Sequence, residues 1–185
     1  MQVEETFELA GRTLTLLRPP SAEELIDDAA FAVDEFLPYW AEVWPSGVVL
    51  AEHVAARDLH GRRVLELGAG LGLPSLAAAL RGADVLATDW ADDAVALLAA
   101  NAARNGIALR AEVVRWDDTE RFGGDWDLVL AADVLYEQRN AEQLLELLPR
   151  LGGDILLAEP GRPFAKDFLT HWHVEEVDHR IYRLR

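Results

Sequence analysis

The chain has 185 residues, 51% of them apolar, with no cysteine and a net charge of −16. That length suits one domain with a sizeable core, and the apolar share excludes a disordered chain. The absence of cysteine excludes a disulfide framework or a thiolate metal site, and 33 acidic against 17 basic residues argue against a protein that tracks nucleic-acid phosphates. No basic-then-apolar leader opens the sequence, and no apolar run reaches the length of a bilayer span, so a cytoplasmic location is expected.

In chain order, Thr6 to Leu17 alternates about Ala10-Gly11 and reads as a β-hairpin. Ser21-Ala-Glu-Glu24 has the pattern of a capping box opening a short helix to about Asp28. This N-terminal piece is open to two readings, a cover for a pocket or an inert appendage. Phe36 to Gly47 then gathers Tyr39, Trp40 and Trp44. Clustered aromatics commonly pack a core, and Pro45-Ser46-Gly47 holds Trp44 near the start of a helix expected over Val48 to Arg57.

The rest of the chain is organised around Arg63 to Asp89. An apolar run (Val64, Leu65, Leu67) meets a turn carrying Gly68, Gly70 and Gly72, then an Ala/Leu-rich helix, then a second apolar run that stops at Asp89. Strand, tight turn, helix and strand make a βαβ unit with a ligand-sized gap at the carboxyl end of its first strand. Glycine lets a ligand approach the main chain closely, and the helix offers free N–H groups at its start. Asp89 stands 21 residues past Gly68, a spacing at which a carboxylate accepts hydrogen bonds from ribose hydroxyls. Leu73 occupies the place where a dinucleotide fingerprint has its last glycine, and Glu66 ends the first strand. A carboxylate there repels a pyrophosphate and suits an ammonium or a sulfonium. These two residues favour S-adenosylmethionine over a nicotinamide dinucleotide. The alternative is a tight βα corner that holds no ligand.

A helix is expected over Asp92 to Asn105, stopped by Asn105-Gly106. Strands are expected over Ala111 to Arg115, Asp125 to Ala132 and Asp154 to Ala158, with a helix over Glu142 to Leu151 between the last two. Asp133-Val-Leu-Tyr136 follows a strand end at the switch point where ligands bind in open α/β sheets. Glu159-Pro160-Gly161-Arg162 reads either as a rim loop or as plain turn chemistry. A short helix over Phe164 to Thr170 and a terminal hairpin, His173 to Val177 with Arg180 to Leu184, complete the chain.

ELGAGLG, the closing Asp89 and DLVLAADVLYE together resemble the class I, seven-β-strand S-adenosylmethionine methyltransferases. PYWAEVWPSG and DVLY narrow the resemblance to protein-lysine methyltransferases, over about residues 36 to 185. The resemblance implies an α/β, Rossmann-like three-layer sandwich around a seven-stranded, mostly parallel sheet with an antiparallel last strand. It implies one methyltransferase domain over residues 1–185, in which residues 1–35 are an appended hairpin and helix. It further implies a cofactor set of Trp44, Glu66, Gly68, Ala69, Gly70, Leu71, Asp89, Trp90, Trp116, Asp117 and Ala132. Trp116 covers the adenine in this reading and Asp117 accepts from its exocyclic amine; otherwise the pair belongs to a solvated acidic turn. Asp133 and Tyr136 fall on the acceptor side. A carboxylate at 133 orients an incoming amine, caps the next helix or holds the cofactor's amino group. No metal is expected. The expected acceptor is a protein lysine, with S-adenosylhomocysteine as product and a monomeric enzyme. A small-molecule amine as acceptor, or a non-catalytic binding module on the same fold, remain the alternatives.

Overall fold

The computed structural model describes residues 2–22, 25 and 38–185. The helix expected from Ser21 to Asp28 falls mostly outside these residues. Two strands, β1 (Val3–Leu9) and β2 (Arg12–Arg18), form the expected hairpin, turning through positive φ at Ala10 and Gly11. A single 3-10 turn, Tyr39–Ala41, precedes α1 (Pro45–Ala55). The central unit is β3 (Arg63–Leu67), α2 (Leu73–Leu80) and β4 (Asp84–Asp89). Then come α3 (Asp92–Arg104), β5 (Arg110–Val113), β6 (Leu128–Ala132), α4 (Gln138–Leu147), β7 (Asp154–Ala158), α5 (Ala165–Leu169), β8 (Val174–Asp178) and β9 (Ile181–Leu184).

Seven strands make one sheet in the order β5-β4-β3-β6-β7-β9-β8. All pairs from β5 to β7 are parallel, and β9 runs antiparallel to both of its neighbours. The chain winds outward from β3 through β4 to β5, then crosses back to place β6 on the other side of β3. The carboxyl ends of β3 and β6 therefore flank the point where winding reverses, the position at which open sheets leave a crevice.

The pleat explains the unbroken apolar strands. On β6, Leu128 and Leu130 join one core while Val129 and Ala131 join the other; on β7, Leu156 and Ala158 oppose Ile155 and Leu157. Both sheet faces are covered, so both sets of side chains must be apolar. One layer holds α1, α2 and α3 with the hairpin's Leu9, Leu14 and Leu16; the other holds α4, Phe122, Trp126 and Phe168.

The hairpin is built into this fold rather than merely attached to it. Asn101 and Asn105, one turn apart on α3, present their amides to the free edge of β2. Asn101 accepts from Leu17 N–H (2.8 Å) and donates to Leu17 O (2.9 Å); Asn105 does the same at Thr15, both at 2.9 Å. Two side chains thus replace a third strand and satisfy an edge that would otherwise be left unpaired.

Several boundaries differ from the sequence reading. The α1 helix begins at Pro45 rather than Val48, because proline's fixed φ and missing N–H suit the first helical turn. The α4 helix begins at Gln138 rather than Glu142, since its polar first turn hides the apolar period. The β6 strand starts at Leu128, not Asp125, because the Asp127 carboxylate turns back to accept from Arg63 N–H and Arg62.

Candidate active site

At the carboxyl ends of β3, β4 and β6 lies a crevice of about 780 Å³, counted with its open mouth. The glycine turn forms its floor. Gly68 and Gly70 both adopt positive φ, and a Cβ on Gly70 would lie 3.2 Å from the Trp40 carbonyl oxygen. Gly72 has a different reason to be glycine: a Cβ there would lie 2.4 Å from Leu98 of α3. All three line the crevice at positive φ, and the third also lets two helices approach.

Glu66 and Asp89 both line the crevice, and both are buried. Ser75 N–H, in the first turn of α2, donates to Glu66 Oε2 at 2.8 Å. The carboxylate therefore also satisfies a helix N-terminus, a role the sequence did not suggest. Burial pushes Glu66 up to about 8; the Ser75 hydrogen bonds oppose the rise and the negative charge of Asp89 adds to it. Asp89 Oδ2 accepts from Gly70 N–H (2.9 Å) and Oδ1 from Ala91 N–H (3.1 Å), fixing its plane between the turn and α3. Burial raises its pKa too, against these backbone donations. Each oxygen of an ionised carboxylate has room for a second donor, so these bonds leave Asp89 acceptor capacity.

Trp44, Ala69, Leu71, Trp90, Trp116, Ala132, Asp133 and Tyr136 line the same crevice. A second cavity of about 550 Å³ adjoins it through Gly68, Trp90, Trp116 and Tyr136. Asp117 lines neither cavity. Its side chain is exposed and lies 3.7 Å from Arg115. Tyr39 and Trp40 line the crevice and were missed as site residues, although their place in the aromatic stretch was the available signal.

Another part of the crevice lining is aromatic and acidic. Trp44 Nε1 donates to the Tyr39 carbonyl at 2.9 Å, and Tyr39 meets Trp44 and Tyr136 edge-on at centroid distances of 6.1 and 5.0 Å. Burial pushes the Tyr136 hydroxyl up to about 12, so it remains a donor at neutral pH. Asp133 has a positive φ of 56°, unusual for a residue with a Cβ, and its N–H donates to Ala158 O at 2.9 Å. The expectation that it caps the next helix is not met, because α4 has no side-chain cap. Instead Arg162 Nε donates to Asp133 Oδ1 at 2.6 Å and Nη2 to Oδ2 at 2.9 Å.

A family model described as lysine methyltransferase matches residues 39–159 of this chain, from Tyr39 to the residue just past β7. The chain belongs to the lysine methyltransferase family. Family relatives include the EEF1A lysine methyltransferase 3 of Mus musculus, 34% identical over 78% of this chain and 72% of the relative. The protein N-lysine methyltransferase METTL21A of Danio rerio is 34% identical over 77% of this chain and 73% of its own length. The electron transfer flavoprotein beta subunit lysine methyltransferase of Rattus norvegicus is 29% identical over 80% of this chain, which spans only 57% of that relative. Among solved structures, a T. thermophilus 16S rRNA N2 G1207 methyltransferase in complex with AdoMet and guanosine superposes with a TM-score of 0.69 at 18% identity. It covers all of this chain and is matched over 50% of its own. The magnesium protoporphyrin IX methyltransferase of Synechocystis with bound SAH gives 0.58 at 18% identity, over 76% of this chain and 81% of its own. At such identities these two structures speak to the fold, a Rossmann-like methyltransferase sandwich.

This member of the family is an S-adenosylmethionine-dependent methyltransferase, and its crevice suits that cofactor. Glu66 is a buried carboxylate beside the negative charge of Asp89, so a cationic ligand end fits there. No helix among the described residues is long and apolar enough to cross a membrane, and no cluster among them has the composition of a metal site.

Proposed function

We propose that the enzyme transfers the methyl group to the ε-amine of a lysine on a protein substrate. The observation that carries this reading is the acidic, aromatic wall. Asp133, Tyr39, Trp44 and Tyr136 line the same crevice as the glycine turn and the two buried carboxylates. Such a wall suits a cationic side chain.

In this reading Glu66 faces the cofactor's cationic end, Asp89 accepts from its ribose hydroxyls, and Trp90, Trp116 and Ala132 enclose its base. When bound, S-adenosylmethionine supplies an electrophilic methyl group carried on a sulfonium. An ammonium cannot attack it, so the lysine must first release a proton to solvent at the open mouth of the crevice. The aromatic wall strips water from the amine and so favours its neutral form. Asp133 accepts a hydrogen bond from the remaining N–H and aims the nitrogen lone pair, and the Tyr136 hydroxyl borders the same space. Most of the rate gain then comes from holding nucleophile and electrophile in line.

The names of the relatives, lysine methyltransferases of EEF1A and of the electron transfer flavoprotein beta subunit, support a protein acceptor. A net charge of −16 favours a basic protein segment and disfavours a phosphate backbone. We further infer a monomeric, cytoplasmic enzyme. The test is incubation of the protein and methyl-labelled S-adenosylmethionine with cell extract. Label on protein bands, mapped to lysine by mass spectrometry, is the expected result; label in the small-molecule fraction alone overturns the protein reading.

A further inference from the structure

The Glu159 to Arg162 loop reaches further into the site than its sequence suggests. Arg162 does not line the crevice; it stands behind Asp133 and fills both carboxylate oxygens side-on, at 2.6 and 2.9 Å. Its guanidinium carbon also lies 5.4 Å from the centroid of the Trp44 ring. Glu159, only 2% exposed, aims the arginine: its Oε1 accepts from Gly161 N–H at 2.7 Å and Arg162 N–H at 2.5 Å, closing the turn. One guanidinium thus touches the acceptor-side carboxylate and an aromatic ring of the same lining.

We propose that Arg162 is a positioning residue for methyl transfer, fixing the plane of the Asp133 carboxylate toward the incoming amine and bracing it against Trp44. The proposal rests on the reading that the acceptor is an amine oriented by Asp133. Three features argue for it over a simple staple between β6 and β7. Each Asp133 oxygen gives one acceptor site to Arg162 and keeps another for a substrate N–H. A side-on fork fixes the carboxylate plane, which a point charge does not. Arg162 also meets the Trp44 ring, which belongs to neither strand and which a staple between β6 and β7 would not need. The staple between strand ends already exists in the backbone, where Asp133 N–H meets Ala158 O at 2.9 Å.

The test compares Arg162→Ala and Arg162→Lys with wild type, using the acceptor isolated from whichever extract fraction takes labelled methyl groups. Arg162→Ala should lower kcat by about a hundredfold, the usual cost of a misaimed reacting group. The Kd for S-adenosylhomocysteine, read by calorimetry, should stay within about twofold, since Glu66, Asp89 and Trp116 are untouched. Arg162→Lys should recover less than a tenth of the lost rate, lacking the fork. Added methylguanidinium should raise the rate of the Ala variant and leave the Lys variant unchanged. An unchanged kcat in Arg162→Ala, full rescue by lysine, or a parallel loss of S-adenosylhomocysteine binding would each overturn the proposal. If Arg162→Ala does not fold, Arg162→Lys and Arg162→Gln carry the same kcat comparison. Label confined to small molecules removes the protein reading while leaving Arg162 testable on that amine; no label in either fraction overturns both.

Discussion

On one wall of the crevice, Glu66 and Asp89 are held by backbone N–H groups of their own βαβ unit and the residues just past it: Ser75, Gly70 and Ala91. On the other wall, Asp133, Arg162 and Trp44 are held mainly by one another, and Asp133 and Arg162 lie 29 residues apart. The first wall is a consequence of local geometry: once the turn and α2 form, the carboxylates have nowhere else to point. The second is assembled from three separate loops and depends on side chains meeting correctly. The two walls should therefore fail differently, the cofactor wall in binding and stability, the acceptor wall in turnover.

The largest effect should come from the acceptor wall. Asp133→Asn keeps shape and removes charge, and should lower kcat by about 10²-fold or more, in the range of a lost acid–base or orienting group. The Kd for S-adenosylhomocysteine should hardly move. A parallel loss of both, by steady-state kinetics and calorimetry, would make Asp133 a cofactor ligand and merge the two walls into one.

Next comes Asp89→Ala on the cofactor wall. It removes a hydrogen-bonded charge from the ribose position and leaves the Gly70 and Ala91 N–H groups without their partner. Cofactor affinity should fall by at least about fivefold, the equivalent of about 1 kcal/mol, and thermal stability should fall with it. Unchanged affinity in calorimetry would refute the ribose assignment.

The contrast between the walls also explains what the sequence could reveal. The βαβ unit was legible because glycines, an acidic strand end and a second carboxylate 21 residues on follow local rules of turn and strand. The inner strands followed because each is built on an apolar run with a turn signal on either side, which the edge strand β5, Arg-Ala-Glu-Val, is not. Arg162 was not legible as a site residue. Nothing in Glu-Pro-Gly-Arg distinguishes a surface turn from one whose arginine meets a carboxylate on another loop. Nor could the sequence show that Glu66 would also satisfy α2, since that depends on how closely the helix returns to its strand. The amides of Asn101 and Asn105, read only as helix and helix stop, turned out to complete a sheet edge for the same reason.

A smaller effect, in pH dependence, would sharpen the cofactor wall. Glu66 is raised from 4.5 to about 8 by burial. Folding therefore favours its protonated form. Its contribution is fully present below pH 4.5 and is lost as pH rises through 8. Wild type should lose thermal stability across that window relative to Glu66→Gln, which cannot titrate. If Glu66 faces a cationic cofactor end, the cofactor should bind more tightly as pH rises toward 8, with proton release measurable in buffers of different ionisation heat. Identical pH profiles for wild type and Glu66→Gln would show that the carboxylate does not titrate there.

The smallest effect should come from Asp117. Its side chain is 57% exposed and pairs loosely with an equally exposed Arg115 at 3.7 Å, an arrangement that contributes little. Trp116, one residue earlier, lines both cavities and approaches the Gly68 position, where a Cβ would lie 3.2 Å from its ring. If the base is enclosed by that ring, Asp117→Ala should change cofactor Kd by less than about twofold while Trp116→Ala weakens it clearly. The pair separates two explanations of the same loop, one in which a carboxylate reads the exocyclic amine and one in which an aromatic face covers the base. A marked loss in Asp117→Ala would mean that the loop closes over bound cofactor and carries the carboxylate inward, which would make even the locally built wall dependent on its ligand.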